Sequence, residues 1–205
     1  DIALAVCGKF STVKVCTSGS ELRDDAVNIL IDAGADVKAL AFDGATAIFW
    51  AALNNSAEVI SLLIRAGANV NATRYDGVTI LMAGARRNTP EAVQLLVDAG
   101  AFVNAKDTNG MTSLLYAAMD NPRSGVVKIL TEAGAEDIAN NTGRTALILA
   151  AMMNNAEVVS ALLDAGVNVH AKDNDGKSAL DYAKDNDKLR GTESLRKLED
   201  LSREG

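Results

Sequence analysis

Five glycines, Gly44, Gly77, Gly110, Gly143 and Gly176, follow one another at intervals of 33 residues. A second series, Gly34, Gly67, Gly100, Gly134 and Gly166, steps by 33, 33, 34 and 32. The extra residue in that series lies within Met119–Val127, and the loop Ala135–Thr142 loses one residue again. Two registers that slip and recover together require a chain built from copies of one supersecondary unit. No single copy can bury its apolar side alone, so the copies must stack into a solenoid with a continuous core.

Each unit reads in the same order. A tip comes first: Asp43-Gly44, Asp76-Gly77, Asn109-Gly110, Thr142-Gly143 and Asp175-Gly176. Asp-Gly and Asn-Gly are strong tight-turn signals, because glycine reaches positive φ without a steric penalty. Two residues later stands Thr46, Thr79, Thr112, Thr145 or Ser178. Each hydroxyl is expected to cap a short helix by accepting from a free backbone N–H. Asn54, Asn88, Asn121 and Asn154 then mark where that helix stops, and asparagine tolerates the left-handed conformation that ends helices. A second helix starts after Ser56, Thr89 or Asn155, with Pro90 at a first helical position, where a missing N–H costs nothing. It carries Val59/Leu62/Leu63, Val93/Leu95/Leu96, Val127/Leu130 or Val158/Leu162/Leu163 at helical spacing. Ala-Gly-Ala or Ala-Gly-Val ends it.

A tip, two antiparallel helices and a period of 33 resemble the ankyrin repeat. The matching segments are DGATAIFWAALNNSAEVISLLIRAGANVNA (Asp43–Ala72), DGVTILMAGARRNTPEAVQLLVDAGAFVNA (Asp76–Ala105), Asn109–Ala139 and Thr142–Ala171. The resemblance spans about Asp24 to Ser202 and implies an all-α ankyrin-repeat solenoid of paired antiparallel helices with hairpin-like tips, about six repeats including atypical ends. Read as one domain over residues 1–205, the chain divides into 1–42, four full repeats at 43–75, 76–108, 109–141 and 142–174, and a cap at 175–205. The family's usual Thr-Pro-Leu-His is altered throughout. Ala47, Ile80, Ser113, Ala146 and Ala179 replace the proline, and Phe49, Met82, Leu115, Ile148 and Asp181 replace the histidine. Loss of that histidine implies inter-tip links resting on apolar contact more than on side-chain hydrogen bonds.

At the back, Asp175–Asp187 reads as a last first-helix, and Thr192–Ser202 as a charged closing helix with Leu195, Leu198 and Leu201 inward. At the front, Ala26–Ala33 reads as a second helix. Its partner is either Ile2–Val6, with Phe10–Ser20 inserted, or Ser11–Thr17.

Little points to chemistry. The net charge of −7 makes a poor phosphate-backbone binder. Cys7 and Cys16 with one distant histidine make neither a disulfide framework nor a zinc site. His170 takes the loop position of Asn71 and Asn104 and reads as a backbone-bonding residue. Asp173-Asn174-Asp175-Gly176 fails as a calcium loop, since Ala171 and Tyr182 stand where acids are required. No run approaches the ~20 apolar residues that span a bilayer, and no signal peptide is visible. No cofactor, metal, catalytic residue, nucleic acid or membrane contact is expected, and the expected state is a monomer of unspecified compartment.

The resemblance implies a protein or peptide partner held on a concave side formed by tips and first helices. On that side the variable positions gather four of the chain's eight aromatic residues. The candidate partner-binding residues are Phe42, Trp50, Tyr75, Val78, Arg86, Arg87, Met111, Tyr116 and Met119. Aromatics, methionine and arginine are the residue types enriched at interface centres. A second reading makes the chain a recruitment domain of a larger enzyme or receptor.

Overall fold

The computed structural model describes residues 20–54 and 56–203, with side chains from residue 26 onward. Both candidate segments before Ser20, the two cysteines and Asn55 lie outside the described residues.

Eleven helices follow in chain order among the described residues. They are α1 (Ser20–Asp32), α2 (Ala47–Leu53), α3 (Ala57–Arg65), α4 (Ile80–Arg87), α5 (Pro90–Asp98) and α6 (Ser113–Asp120), then α7 (Ser124–Glu132), α8 (Ala146–Met153), α9 (Ala156–Asp164), α10 (Ala179–Ala183) and α11 (Glu193–Arg203). They form two layers. Helices α2, α4, α6, α8 and α10 pack in succession as the first-helix layer. Helices α1, α3, α5, α7, α9 and α11 pack in succession as the second. The helix expected at Ala26–Ala33 is therefore a second-layer helix, and it begins earlier, at Ser20.

Burial explains why neither layer stands alone. In α8 every residue from Ala146 to Ala151 is buried, so neighbours cover this part of the helix on all sides. Ala51-Ala52, Ala117-Ala118 and Ala150-Ala151 are fully buried; these short side chains let successive first helices approach closely. The second helices are amphipathic: in α5, Ala92, Val93 and Leu96 are buried while Glu91 faces water. In the closing helix Leu198 is fully buried and Leu195 and Leu201 are half-buried.

The expected caps form with one exception, at Thr46. Thr79, Thr112, Thr145 and Ser178 accept from the N–H groups of Met82, Leu115, Ile148 and Asp181 at 3.1, 3.3, 3.5 and 3.4 Å. Thr46 does not cap α2, and its hydroxyl is buried without a partner. Ser56, Thr89 and Asn155 cap α3, α5 and α9. Helix α7, which follows the inserted residue, starts after Arg123 with no side-chain cap.

The asparagines that end the first helices do so by a different means than expected. None is left-handed: Asn88 sits at φ −84°, Asn121 at −95° and Asn154 at −101°. Asn88, Asn121 and Asn154 reach into the preceding repeat instead, whereas Asn54 Nδ2 donates to the Trp50 carbonyl of its own helix. Asn88 Nδ2 donates to the Ala52 carbonyl at 2.7 Å. Asn121 Nδ2 donates to Ala85 and Asn88, Asn154 Nδ2 to Ala118 and Asn121, and Asn186 Nδ2 to Ala151 and Asn154. The carbonyls thus satisfied are those that a helix end leaves open. Asn88, Asn121 and Asn154 are buried, and the side-chain ladder ties repeats together through the interior.

Candidate interaction surface

The opposite edge of each first helix is a tip. Tips close as one-bridge hairpins: Arg74 N donates to Val78 O and Gly77 N to Arg74 O, both at 3.0 Å. Gly77 lies at φ +81°, and a Cβ there would stand 3.1 Å from Asp107 Cα, so both conformation and space require glycine. Adjacent tips are joined by backbone rungs. Tyr75 N donates to Asp43 O, Thr108 N to Asp76 O, Asn141 N to Asn109 O and Asn174 N to Thr142 O, each at 3.1 Å. The inter-tip links, expected to rest on apolar contact more than on side-chain hydrogen bonds, include these backbone hydrogen bonds, which no histidine is needed to make.

Two kinds of tip follow one another. In the first two, the aspartate just before glycine braces the turn: Asp43 accepts from Ala45 N and Asp76 from Val78 N. In the last three, the bracing residue lies three before glycine. Asp107 Oδ1 accepts from Asn109 and Met111, Asn140 Oδ1 from Thr142 and Arg144, and Asp173 Oδ1 from Asp175 and Lys177. Where that residue is a carboxylate, its second oxygen takes a tyrosine from the following first helix. Tyr116 Oη donates to Asp107 Oδ2 at 2.8 Å, and Tyr182 Oη to Asp173 Oδ2 at 2.6 Å. A guanidinium from the preceding repeat covers each ring: Arg86 lies 5.8 Å from the Tyr116 centroid and Arg144 5.9 Å from that of Tyr182. Burial, then the bond to Asp107, pushes the Tyr116 phenol up. The bond from Tyr182 holds the Asp173 carboxyl below its ordinary value.

The candidate residues separate on this framework. Phe42 is fully exposed, and Tyr75 on the next tip is 74% exposed. The Tyr75 ring stands over Gly44, where a Cβ would meet it at 2.9 Å; the two aromatic positions thus belong to tips in direct contact. Val78 is half-buried beside them. Trp50 is half-buried, set edge-on to buried Phe49 at 5.9 Å between centroids. Arg74, from the intervening tip, lies over Phe49 and pairs with Asp43 at 3.4 Å and Asp76 at 3.2 Å. Tyr116 is half-buried with its hydroxyl engaged as described. Met111 is buried, 7% exposed, with its sulfur 3.4 Å from Asn140 Nδ2; it offers almost no area to a partner. Arg86 is held by Asp120 of the next repeat, and Met119 is half-buried at the end of α6. Arg87 is exposed. The structure places Phe42 and Tyr75 on contacting tips, with Val78 on the tip of Tyr75, and sets Arg86 over Tyr116 of the next repeat.

The tip edge and the helix pairs bear directly on kinship. Profiles of the family described as Ankyrin repeats (3 copies) match residues 15–107, 85–173 and 114–200. The chain belongs to the ankyrin repeat family. Ankyrin repeats are in general protein–protein interaction modules, and the described helices and tips are those of an ankyrin solenoid. Among curated proteins no sequence match was found.

Sequence reasoning missed Arg74, which knits two tips, and Phe102, a 65% exposed aromatic on the loop after α5. The signal for Phe102 was present: Asn69, Glu136 and Asn168 hold the equivalent position. His170 is exposed, and its backbone N–H, not its imidazole, makes the loop bond, to Asn168 Oδ1. Among the described residues no group of His, Cys, Asp or Glu is arranged to hold a metal ion, and no helix is long and apolar enough to cross a membrane. One open depression lies on the second-helix layer between α3 and α5, lined by Glu58, Ser61, Leu62, Arg65 and Leu95 among others.

Proposed function

We propose that this ankyrin domain is a non-catalytic module that binds a protein or peptide through its concave side, anchored on Phe42 and Tyr75. The observation that carries this reading is the exposure of two large aromatic side chains on adjacent, mutually bonded tips. A soluble surface rarely leaves such groups together without a use. Trp50 and Val78 continue the strip inward, and Arg86, Arg87, Tyr116 and Met119 extend it along the first-helix layer. Met111 contributes support beneath the third tip rather than contact area. The tips are fixed by backbone rungs, so the anchors are presented on rigid backbone and little ordering entropy is lost on binding.

The test is selection of a random-peptide display library on the immobilised chain. The selected peptides are then titrated against the Phe42→Ala/Tyr75→Ala variant. Two anchor residues of hot-spot strength predict a loss of about thirtyfold or more. Peptides that bind both proteins alike place the site elsewhere.

A further inference from the structure

The C-terminal ends of the first helices form a second feature that the tips do not explain. The chain has five methionines. Met82 and Met111 are buried, whereas the other three, Met119, Met152 and Met153, stand at the ends of α6 and α8. Met119 and Met152 are half-buried and Met153 is 51% exposed. Methionine surfaces adapt to varied apolar side chains because the unbranched thioether re-packs at little cost.

Cations border this methionine patch. Arg123 Nη1 donates to the Arg87 carbonyl at 3.3 Å, and Lys188 Nζ donates to the Met153 carbonyl at 3.0 Å. Both carbonyls end a first helix, where the dipole favours positive charge. Capping accounts for Arg123 and Lys188, but it gives the Arg87 side chain no role. Arg86 is neutralised by Asp120 and Arg190 by Asp187. Among the described residues, Arg87, Arg123 and Lys188 meet no carboxylate within ion-pair distance. The carboxylates near this row include exposed Glu91, at the first turn of α5, and exposed Asp185. A chain of net charge −7 thus keeps unpaired cations along the border of its methionine patch.

Resting on the reading above, we propose that the partner segment is an acidic amphipathic peptide. Its apolar side chains lie on Met119, Met152 and Met153, and its carboxylates face Arg87, Arg123 and Lys188. The acidic remainder of the domain repels such a segment, and the cationic border attracts it, which fixes both location and register.

The experiment compares the display selection on the wild-type chain with that on Arg87→Glu/Arg123→Glu, at low and at physiological ionic strength. Both side chains are exposed, and circular dichroism confirms that the variant folds. Expected are wild-type peptides combining apolar and acidic residues, weakened about tenfold or more on the variant. That difference shrinks as salt rises, because exposed charges are screened beyond a Debye length of about 8 Å at physiological ionic strength. Peptides without acidic enrichment, or bound equally by the variant while still requiring Phe42 and Tyr75, overturn this inference and leave the tip reading standing. Single-stranded DNA that displaces the peptides as well as an acidic peptide does overturns it too. No enriched peptide at all overturns both.

Discussion

The first two tips and the last three solve the same turn with different residues. At the position three before glycine stand Ala41 and Arg74, then Asp107, Asn140 and Asp173. The later residues brace their own turns through Oδ1. The two aspartates then use Oδ2 to hold Tyr116 and Tyr182. One position on, the early tips carry Phe42 and Tyr75. Asn141 and Asn174 there donate instead to the Thr108 and Asn141 carbonyls of the tips before. At this second position the last two tips turn their side chains onto the protein itself, whereas the first two turn theirs outward. An aromatic side chain on an ankyrin surface is therefore not an anchor by residue type alone. Tyr116 and Tyr182 each give their hydroxyl to a carboxylate nine residues earlier, whereas Phe42 has no hydroxyl to give.

The sharpest way to break this contrast is Asp107→Ala, which gives the third tip the residue found in the first. It removes the acceptor of three hydrogen bonds, from Asn109, Met111 and Tyr116. A loss of about 2–4 kcal/mol is expected in urea unfolding, since bonds to charged groups are worth about 1.5–3 kcal/mol each and are partly replaced by water. Tyr116→Phe removes one of those bonds and keeps the ring under Arg86. A loss of about 1–2 kcal/mol is expected in the same measurement. No loss would mean that the phenol is not held, and would return Tyr116 to the set of free anchors.

A pH series separates two carboxylates whose pKa values move in opposite directions. Asp173 is held below its ordinary value, first by Tyr182. Its contribution is present above the unfolded carboxylate range and is lost as pH falls through the lower folded value. Asp137, in the shortened loop, is pushed up by burial; Oδ1 accepts from Ala146 N and Oδ2 has no partner. Protonation favours its folded state, so its destabilising effect appears as pH rises from the unfolded value through the raised folded one. Asp137→Asn is expected to raise the urea midpoint at neutral pH and to leave it unchanged in acid below both values. A variant that is less stable at neutral pH would contradict the assignment.

Much of the architecture is legible in the sequence because its signals are local. Glycine at positive φ, a hydroxyl two residues on and an apolar stripe at helical spacing each act within a few residues. Asn88, Asn121 and Asn154 read as left-handed stops because the carbonyls they satisfy lie 33 to 37 residues back. Arg86 looked free because Asp120, its partner, is 34 residues away. Met111 looked exposed because it follows a tip, yet the turn braced by Asp107 folds it inward. The Asp107–Tyr116 and Asp173–Tyr182 pairs share a spacing of nine, which is the one such signal the sequence did contain.

The smallest expected change in stability belongs to the pair on which the functional reading depends. Phe42 and Tyr75 bury little, so their joint replacement by alanine is expected to move stability by no more than about 0.5 kcal/mol per site. The decisive measurement therefore follows both quantities on Phe42→Ala/Tyr75→Ala: the urea midpoint, and affinity for peptides selected on the wild-type chain. The account predicts a near-unchanged midpoint with affinity reduced about thirtyfold or more. An unchanged affinity, or a loss of affinity that merely follows unfolding, would contradict it.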